Sequence, residues 1–210
     1  MKLTVFGATG GIGREIVAQA LAAGHHVTAV VRDPARLTLT GDRLEVFQAD
    51  LSDPEALRPA VAGRDAVLSG LGARSRADAG VAARLTRSVL AAMEAEGTRR
   101  LIVVSAAPLA ATPPDEPLLD RAFVSVVRAA LKDVYADLRV MEEELARSAV
   151  DWTSVRPPKL GDKPLTGTYR KVVGANPRAG RSIGRADVAH AMLAMVSDPA
   201  TVRRPVGVAY

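Results

Sequence analysis

The sequence contains no cysteine among its 210 residues, which excludes disulfide bonds and thiol catalysis. This absence is typical of proteins that work in the reducing cytoplasm, where we expect this one to act. Only three histidines are present, two of them adjacent at His25 and His26, so we predict no metal site. Aromatic residues make up only 3% of the chain, so no stacking platform for nucleic-acid bases is expected.

Long apolar runs are also missing. None approaches the roughly 18 residues that a membrane span needs, so no membrane partner is expected. The first strand begins by residue 3, which leaves no room for a signal peptide. The net charge is +5, but the basic residues are dispersed, which argues against nucleic acid and leaves a small molecule as the expected partner. The length fits a single domain over residues 1–210.

The most informative stretch is the first 36 residues. A short apolar run at residues 3–6 breaks into a glycine turn, continues as an alanine-rich segment at residues 14–23 and returns to an apolar run at residues 27–31. This order of strand, glycine turn, helix and strand is typical of the nucleotide-binding half of a Rossmann-like fold.

Each glycine of the turn has a physical role. Gly7 permits a tight turn, Gly10 lets the backbone approach a pyrophosphate, and Gly13 lets the helix lie close to the sheet. Free N–H groups at the helix start would bind the phosphates, and Thr9 could add a hydroxyl donor. The predicted cofactor contacts in this turn are Gly7, Thr9, Gly10, Gly11, Ile12 and Gly13.

The end of the second strand selects the cofactor. A carboxylate there, about 20 residues past the glycines, would bind the ribose 2′-OH of NAD(H). This chain has Arg32, followed by Asp33 and Arg36, and a guanidinium suits the 2′-phosphate of NADP(H). In an alternative that can hold at the same time, both arginines lie on a solvated turn, and Asp33 caps a short helix begun by Pro34.

Strands and helices alternate along the rest of the chain, which predicts an α/β, Rossmann-like, doubly wound and mostly parallel sheet flanked by helices. Further strands are predicted at residues 44–48, 65–68, 101–104, 152–155 and 182–185, with a final edge strand at 206–209. Further helices are predicted from residues 52–55 to 62, at 79–96, at 119–148 with a bend near 132–133, and at 186–196. Residues 108–119 are expected to be a loop or lid and residues 163–180 to be loop-rich, and the substrate loops to come mainly from 106–120 and 156–182.

Strand ends at the carboxyl edge of such a sheet line the ligand crevice. Asp50, after the third strand, either faces the adenine or caps a loop. Gly70 and Gly72, after the fourth strand, permit close backbone approach, and Arg74 is a candidate phosphate contact.

Catalytic groups are few. Tyr135 is followed four residues later by Arg139 and not by the lysine of a short-chain dehydrogenase, which favours an exposed helical pair. Ser105 lacks a neighbouring histidine, and Glu142-Glu143-Glu144 is interpreted as a solvated helix face. Hydride transfer from a reduced nicotinamide remains, since the cofactor itself would carry the chemistry.

Six short stretches support a resemblance. They are Phe6-Gly7-Ala8-Thr9-Gly10, Val31-Arg32-Asp33 with Arg36-Leu37, Leu71-Gly72-Ala73-Arg74, and, most specifically, Pro157-Pro158-Lys159-Leu160-Gly161-Asp162 with Pro164-Leu165-Thr166-Gly167-Thr168-Tyr169. With these stretches the chain resembles the atypical short-chain dehydrogenases/reductases of the NAD(P)H-binding, NmrA-like group. That group includes biliverdin IXβ reductase, also called NADPH-dependent flavin reductase.

The resemblance implies a Rossmann-like monomer that uses NADPH to reduce flavins and, in some members, linear tetrapyrroles. A flavin would then be a substrate and not a bound prosthetic group. The resemblance places adenine beside Asp50 and Leu51, the 2′-phosphate between two arginines, and Ser105 with the double proline around the nicotinamide. The implied cofactor contacts beyond the glycine turn are Arg32, Arg36, Asp50, Leu51, Leu71, Gly72, Arg74, Ser105, Pro157 and Pro158.

Two departures fall where substrate would meet nicotinamide. Ser105 is followed by Ala106, whereas the family commonly has two hydroxyl residues in succession, and Lys159 stands where the family often has histidine. Lys159 could pair with a flavin phosphate or a propionate, donate a proton if it is buried, or be a solvated loop lysine.

The sequence therefore predicts an NADPH-dependent oxidoreductase with a flavin-, quinone- or tetrapyrrole-like acceptor, and Ser105 and Lys159 are its catalytic candidates. The alternative is a non-catalytic, redox-sensing NADP(H)-binding protein. An epimerase-like enzyme acting on nucleotide sugars ranks third, because the chain beyond Val155 is short for a sugar-nucleotide domain. We expect a monomer, and a dimer remains open.

Overall fold

The computed structural model describes residues 1–72, 80–110 and 128–210. The strands are β1 (Lys2–Phe6), β2 (His26–Val31), β3 (Leu44–Gln48), β4 (Ala66–Ser69), β5 (Arg100–Val104), β6 (Asp151–Arg156), β7 (Lys159–Gly161), β8 (Arg170–Val173), β9 (Ser182–Gly184) and β10 (Arg204–Ala209). The α-helices are α1 (Gly11–Ala22), α2 (Pro54–Val61), α3 (Val81–Glu96), α4 (Lys132–Arg147) and α5 (Arg185–Ala194). Short 3₁₀ turns span Pro34–Arg36, Ala107–Leu109 and Pro199–Thr201.

Eight strands form one sheet in the order β3-β2-β1-β4-β5-β6-β10-β8, and β7 pairs with β9 in a separate ribbon. Neighbouring strands of the sheet are parallel except for β10 and β8, which are antiparallel. The order reverses between β1 and β4, which is the switch point where a doubly wound sheet opens a crevice. The predicted fold class is confirmed.

One prediction about the last third of the chain is wrong. Strand β10 does not lie at the edge, because β8 pairs with it from Val206↔Val173 to Ala209↔Arg170. Residues 163–180, predicted to be loop-rich, contain this short edge strand, which the sequence did not indicate. The charged start of β8 fits an edge position, since charges discourage further strand pairing.

Buried side chains cover both faces of the sheet. One cluster lies between the sheet and helices α1 and α5, and its largest fully buried members include Leu3, Ile16 and Met192. The other lies under α2, α3 and α4 and includes Phe6 and Met141. The two layers hold the carboxyl ends of β1, β4, β5 and β6 along one rim, where the predicted site residues follow the strands.

Helix boundaries follow their capping residues. Helix α2 begins after Asp53, whose carboxylate accepts a hydrogen bond from Glu55 N at 3.0 Å, and α3 ends at Gly97 in a left-handed conformation with φ of 69°. A break at Leu131 precedes α4, which confirms the predicted bend. Across the part of the chain that the structure describes, no helix is both long and apolar enough to span a bilayer.

Candidate functional site

The glycine turn stands at the switch point of the sheet. Gly7 has a positive φ of 74°, and a Cβ there would lie 2.8 Å from the Gly70 carbonyl carbon, so the turns after β1 and β4 touch. A Cβ on Gly13 would overlap the Gly7 carbonyl oxygen. These two glycines are therefore required by the packing of helix and strand, as predicted for Gly13.

Gly10 differs from both of them. Of the atoms that the structure describes, a Cβ there would meet only the Gly7 carbonyl oxygen, at 3.2 Å, so no other described residue covers the outer side of Gly10. Helix α1 begins at Gly11, three residues earlier than predicted, and Gly10 is its N-cap. The cap makes no side-chain hydrogen bond, and no acidic residue stands in the first turn. The helix thus presents N–H groups and a positive dipole end beside an open backbone, which suits a pyrophosphate.

Arg32 and Arg36 lie exposed just past the end of β2. Between them, the Asp33 carboxylate accepts a hydrogen bond from Ala35 N at 3.1 Å and caps the 3₁₀ turn that begins at Pro34. The solvated-turn interpretation is therefore confirmed, and the Asp33 carboxylate between the two arginines is bonded to the backbone and not to either guanidinium. Both guanidinium groups remain on the surface, and their contact with a 2′-phosphate stays a prediction.

Asp50 caps a loop in this structure. Its carboxylate accepts hydrogen bonds from Ser52 N at 2.9 Å and Ser52 Oγ at 2.8 Å. These bonds are the main reason that the pKa of Asp50 lies below its usual value, and Arg84 and Arg32 lower the pKa further. Leu51 is 5% exposed and packs in the core cluster under α2 and α3. A contact between adenine and either residue stays a prediction.

The structure describes two of the three predicted site residues that follow β4. Leu71 is half-buried against the core, and its N–H donates to Ser69 Oγ at 3.4 Å. Gly72 is exposed, and no described atom lies within 4 Å of the point where its Cβ would stand. Arg74, the predicted phosphate contact, lies outside the described residues.

A buried polar network lies beneath the rim where β5 and β6 end. Glu142 of α4 accepts hydrogen bonds from Ser154 Oγ at 2.6 Å and Arg156 Nε at 2.9 Å, and it also pairs with Arg156 through its second oxygen. The side chains of Glu142 and Arg156 are only 15% and 14% exposed. The prediction of a solvated glutamate run is therefore wrong for Glu142, because it lies on the inner face of its helix.

This network keeps Glu142 ionised. Burial alone would raise the pKa of Glu142, but hydrogen bonds from Arg156 and Ser154 outweigh that effect and hold its pKa below the usual range. The neighbouring Ser105 hydroxyl contributes in the same direction.

Ser105 stands at the carboxyl end of β5. Its N–H donates to the Val155 carbonyl at 2.7 Å, which fixes the residue beside β6. Its hydroxyl is buried, and among residues 1–72, 80–110 and 128–210 no partner meets hydrogen-bond geometry. The hydroxyl lowers the pKa of Glu142 although that carboxylate lies outside hydrogen-bond geometry, and its proton is free to rotate toward Glu142 or toward another acceptor. Ser105 thus keeps a donor for a group that enters the rim.

The double proline lies next to Ser105. The Ala107 N–H donates to the Pro157 carbonyl at 2.9 Å, so the segments after β5 and β6 are joined. Pro157 is buried, Pro158 is half-buried, and Lys159 is exposed at the start of β7. The burial that a proton-donating Lys159 would need is not seen in this structure.

Tyr135 and Arg139 do not form an exposed pair. Tyr135 is half-buried against the core cluster of α3 and α4, and this burial raises its pKa, only partly opposed by Arg128. Arg139 is exposed. A tyrosine with a raised pKa is a poorer proton donor near neutral pH than the activated tyrosine of a short-chain dehydrogenase.

Sequence reasoning missed several residues at this rim. Glu142 and Arg156 were missed as a pair because they meet only in the folded chain, and so was Arg185, whose side chain lies against Gly11. Asp187 was missed as well. It is fully buried and accepts hydrogen bonds from the Thr166 and Gly167 N–H groups and from the Thr166 and Tyr210 hydroxyls, at 2.7 to 3.0 Å.

Comparison with known proteins agrees with this geometry. The (4-alkanoyl-5-oxo-2,5-dihydrofuran-3-yl)methyl phosphate reductase of Streptomyces griseus is 33% identical over 156 residues, which cover 74% of this chain and 46% of that protein. The chain spans less than half the length of the curated relatives it matches.

Solved structures share the fold. The anaerobilin reductase ChuY from Escherichia coli O157:H7 has a TM-score of 0.80 at 22% identity and covers 100% of this chain and 96% of its own. A short-chain dehydrogenase/reductase from Veillonella parvula in complex with NADP has a TM-score of 0.76 at 21% identity, with coverage of 100% and 94%. A model of the NAD(P)H-binding family matches residues 7–199, from the glycine turn to beyond α5. This match shows that the chain belongs to the NAD(P)H-binding family.

Proposed function

We propose that this protein is an NADPH-dependent reductase that passes hydride to a conjugated acceptor of the flavin, quinone or tetrapyrrole kind. The observation that carries the proposal is the position of Ser105 at the rim beside the switch point, where its buried hydroxyl has no hydrogen-bond partner among the described residues. A reductase among the relatives, and two enzymes of reductive or dehydrogenase type among the structural neighbours, support the same reaction type.

The residues present fit the cofactor. The open side of Gly10 and the start of α1 would hold the pyrophosphate, and the exposed Arg32 and Arg36 would hold the 2′-phosphate. When bound, reduced nicotinamide supplies the hydride. Ser105 would orient the acceptor or donate a hydrogen bond to it. Glu142 would stay ionised beneath the rim, because Arg156 and Ser154 neutralise the cost of its burial.

A conjugated acceptor fits the small number of catalytic groups. Tyr135 is half-buried with a raised pKa, and the residue four positions later is Arg139, so the tyrosine–lysine pair that reduces simple carbonyls is not available here. An extended conjugated system spreads the incoming charge and needs less help from an acid. One hydroxyl and solvent would then suffice.

The test is NADPH oxidation by purified protein with FMN, riboflavin and a quinone in turn, and with NADH in parallel. Turnover with a clear preference for NADPH is expected. Arg32→Ala should weaken NADPH binding about 5- to 50-fold, because a charged hydrogen bond at an exposed site is weakened by solvent. The same substitution should leave NADH binding unchanged. Tight NADPH binding with no oxidation in any mixture would reject the reductase.

That outcome would favour a second candidate, a redox-sensing protein that binds NADP(H) without turnover. The missing tyrosine–lysine pair is the observation that favours it. The photosystem II assembly factors Ycf39 among the curated relatives are named for assembly and not for a reaction. A sensor should bind oxidised and reduced cofactor with different effects on a protein partner, which a pull-down with each form would detect.

A further inference from the structure

Arg185, the first residue of α5, reaches across to the glycine turn. Its Cδ and Nε lie 2.6 Å and 2.8 Å from the point where a Cβ on Gly11 would stand, and its guanidinium carbon lies 3.8 Å from that point. Helices α1 and α5 pack side by side, so the two residues are held together by the fold. The arginine side chain therefore lies directly over Gly11 and would have to shift if a Cβ were added there.

The guanidinium of Arg185 is held by one exposed carboxylate. Its Nη1 pairs with Asp162, which follows β7. The Asp162 side chain is 89% exposed and that of Arg185 is 32% exposed. An ion pair with one partner so open to water stabilises a protein very little, so Arg185 can exchange this partner at small cost.

We propose that Arg185 binds the cofactor pyrophosphate, and that Asp162 is an internal competitor that occupies the guanidinium when no cofactor is bound. The guanidinium lies beside the first residue of α1, where helix N–H groups and the open face of Gly10 favour an anion. A phosphate can accept two parallel N–H bonds from an arginine and also uses the helix dipole, so it is the stronger partner. This inference rests on cofactor binding and not on hydride transfer.

The roles of Arg185 and Arg32 can be separated, because they would contact different parts of the cofactor. Dissociation constants of NADPH and NADH should be measured by calorimetry without any acceptor, together with 2′-AMP, which lacks the pyrophosphate. Arg185→Ala should weaken the binding of NADPH and NADH equally, by about 10- to 100-fold, and leave the binding of 2′-AMP unchanged. Arg32→Ala should weaken NADPH and 2′-AMP and leave NADH unchanged.

Asp162→Asn tests the competitor with the arginine intact. This substitution should strengthen the binding of both dinucleotides by about 2- to 5-fold, which is the effect expected from removing an exposed ion pair. Arg99→Ala is the control, since Arg99 also forms an exposed pair, with Asp151 at 3.1 Å, at the amino ends of β5 and β6 and so away from the rim. The control should bind both dinucleotides as the wild type does.

Several results would overturn the inference. One is unchanged dinucleotide binding in Arg185→Ala, and another is weaker binding of NADPH alone in that variant. A third is weaker dinucleotide binding in Asp162→Asn, which would mean that Asp162 helps to hold the cofactor and does not compete with it. Circular dichroism and melting identify a folding failure, and Arg185→Gln then replaces Arg185→Ala. If the wild type binds neither dinucleotide, both this inference and the reductase are wrong. If binding follows the expected pattern and no acceptor is reduced, only the reductase is wrong.

Discussion

Removing the Glu142 carboxylate alone should destabilise the protein more than replacing both members of its ion pair. Glu142→Leu would leave the Arg156 guanidinium, only 14% exposed, without its carboxylate. Breaking a buried pair from one side costs about 3–5 kcal/mol, whereas an apolar pair of similar volume is often neutral or stabilising. The double variant Glu142→Leu/Arg156→Met should therefore regain much of the free energy of unfolding that Glu142→Leu loses. It should stay about 1–3 kcal/mol below the wild type, because the Ser154 hydroxyl has lost its acceptor.

Thermal and urea unfolding followed by circular dichroism measure the effect. For a chain of this length, Glu142→Leu should lower Tm by about 6–20 °C, since each kcal/mol shifts Tm by about 2–4 °C. Glu143→Gln is the control, because Glu143 is 53% exposed and its pair with Arg147 spans 3.8 Å. A double variant as unstable as the sum of the two single variants would refute the argument that the pair is coupled.

The same pair should make stability depend on pH in acid. The folded-state pKa of Glu142 lies below its ordinary value of 4.5, so its contribution is complete above about that pH and is lost as the pH falls through the folded pKa. The free energy of unfolding of the wild type should therefore decrease below about pH 4.5, and Glu142→Gln should show a shallower decrease. If the free energy of unfolding falls with pH equally steeply in the two proteins, Glu142 titrates alike in the folded and the unfolded state, and the prediction is wrong.

Two further predictions concern the turn and the last loop. Gly13→Ala should cost about 1–3 kcal/mol, because its Cβ would overlap a backbone carbonyl, while Gly161→Ala, with nothing within 4 Å, should cost about 0.5 kcal/mol or less. Equal melting temperatures for these two variants would contradict the packing argument. Asp187→Asn should accelerate amide exchange at Thr166 and Gly167, whose N–H groups donate to that carboxylate at 3.0 and 2.8 Å. Unchanged exchange would mean that other contacts hold this loop.

The cofactor half of the fold was predictable because its signals are local. The first strand, the glycine turn, α1 and β2 follow one another within residues 1–36, and each boundary has a residue that explains it. Asp33 and Pro34 begin the 3₁₀ turn as predicted from their types alone. The start of α1 was placed three residues late, because glycines discourage a helix in isolation and here the packing against the sheet outweighs that cost.

The position of Glu142 could have been found from the helix period. Leu138, Met141 and Leu145 are buried on α4, and Glu142 stands four residues after the first of them, within the same apolar stripe. A carboxylate in that stripe needs a buried partner. The partner itself, Arg156, could not be deduced, because it reaches Glu142 only when α4 packs against β6.

The edge of the sheet was mispredicted for a related reason. Arg170–Val173 offers only four residues, two of them charged, and its pairing with β10 spans more than thirty positions along the chain. Nothing local distinguishes such a segment from a loop. The charges at Arg170 and Lys171 become informative only once an antiparallel neighbour makes the segment an edge strand.

These differences follow the geometry of the site itself. The glycine turn, α1 and the turn after β2, where the pyrophosphate and the 2′-phosphate are predicted to bind, are consecutive elements, so short-range sequence order specifies them, whereas Arg185 joins them only through the packing of α5 on α1. The acceptor position would be made by Ser105, Pro157 and the network of Glu142, which come from three segments joined only by long-range contacts. A substitution near the glycine turn should therefore change cofactor binding directly. A change on α4 can alter the acceptor side while the cofactor site stays intact, so acceptor choice can diverge among proteins that share this turn.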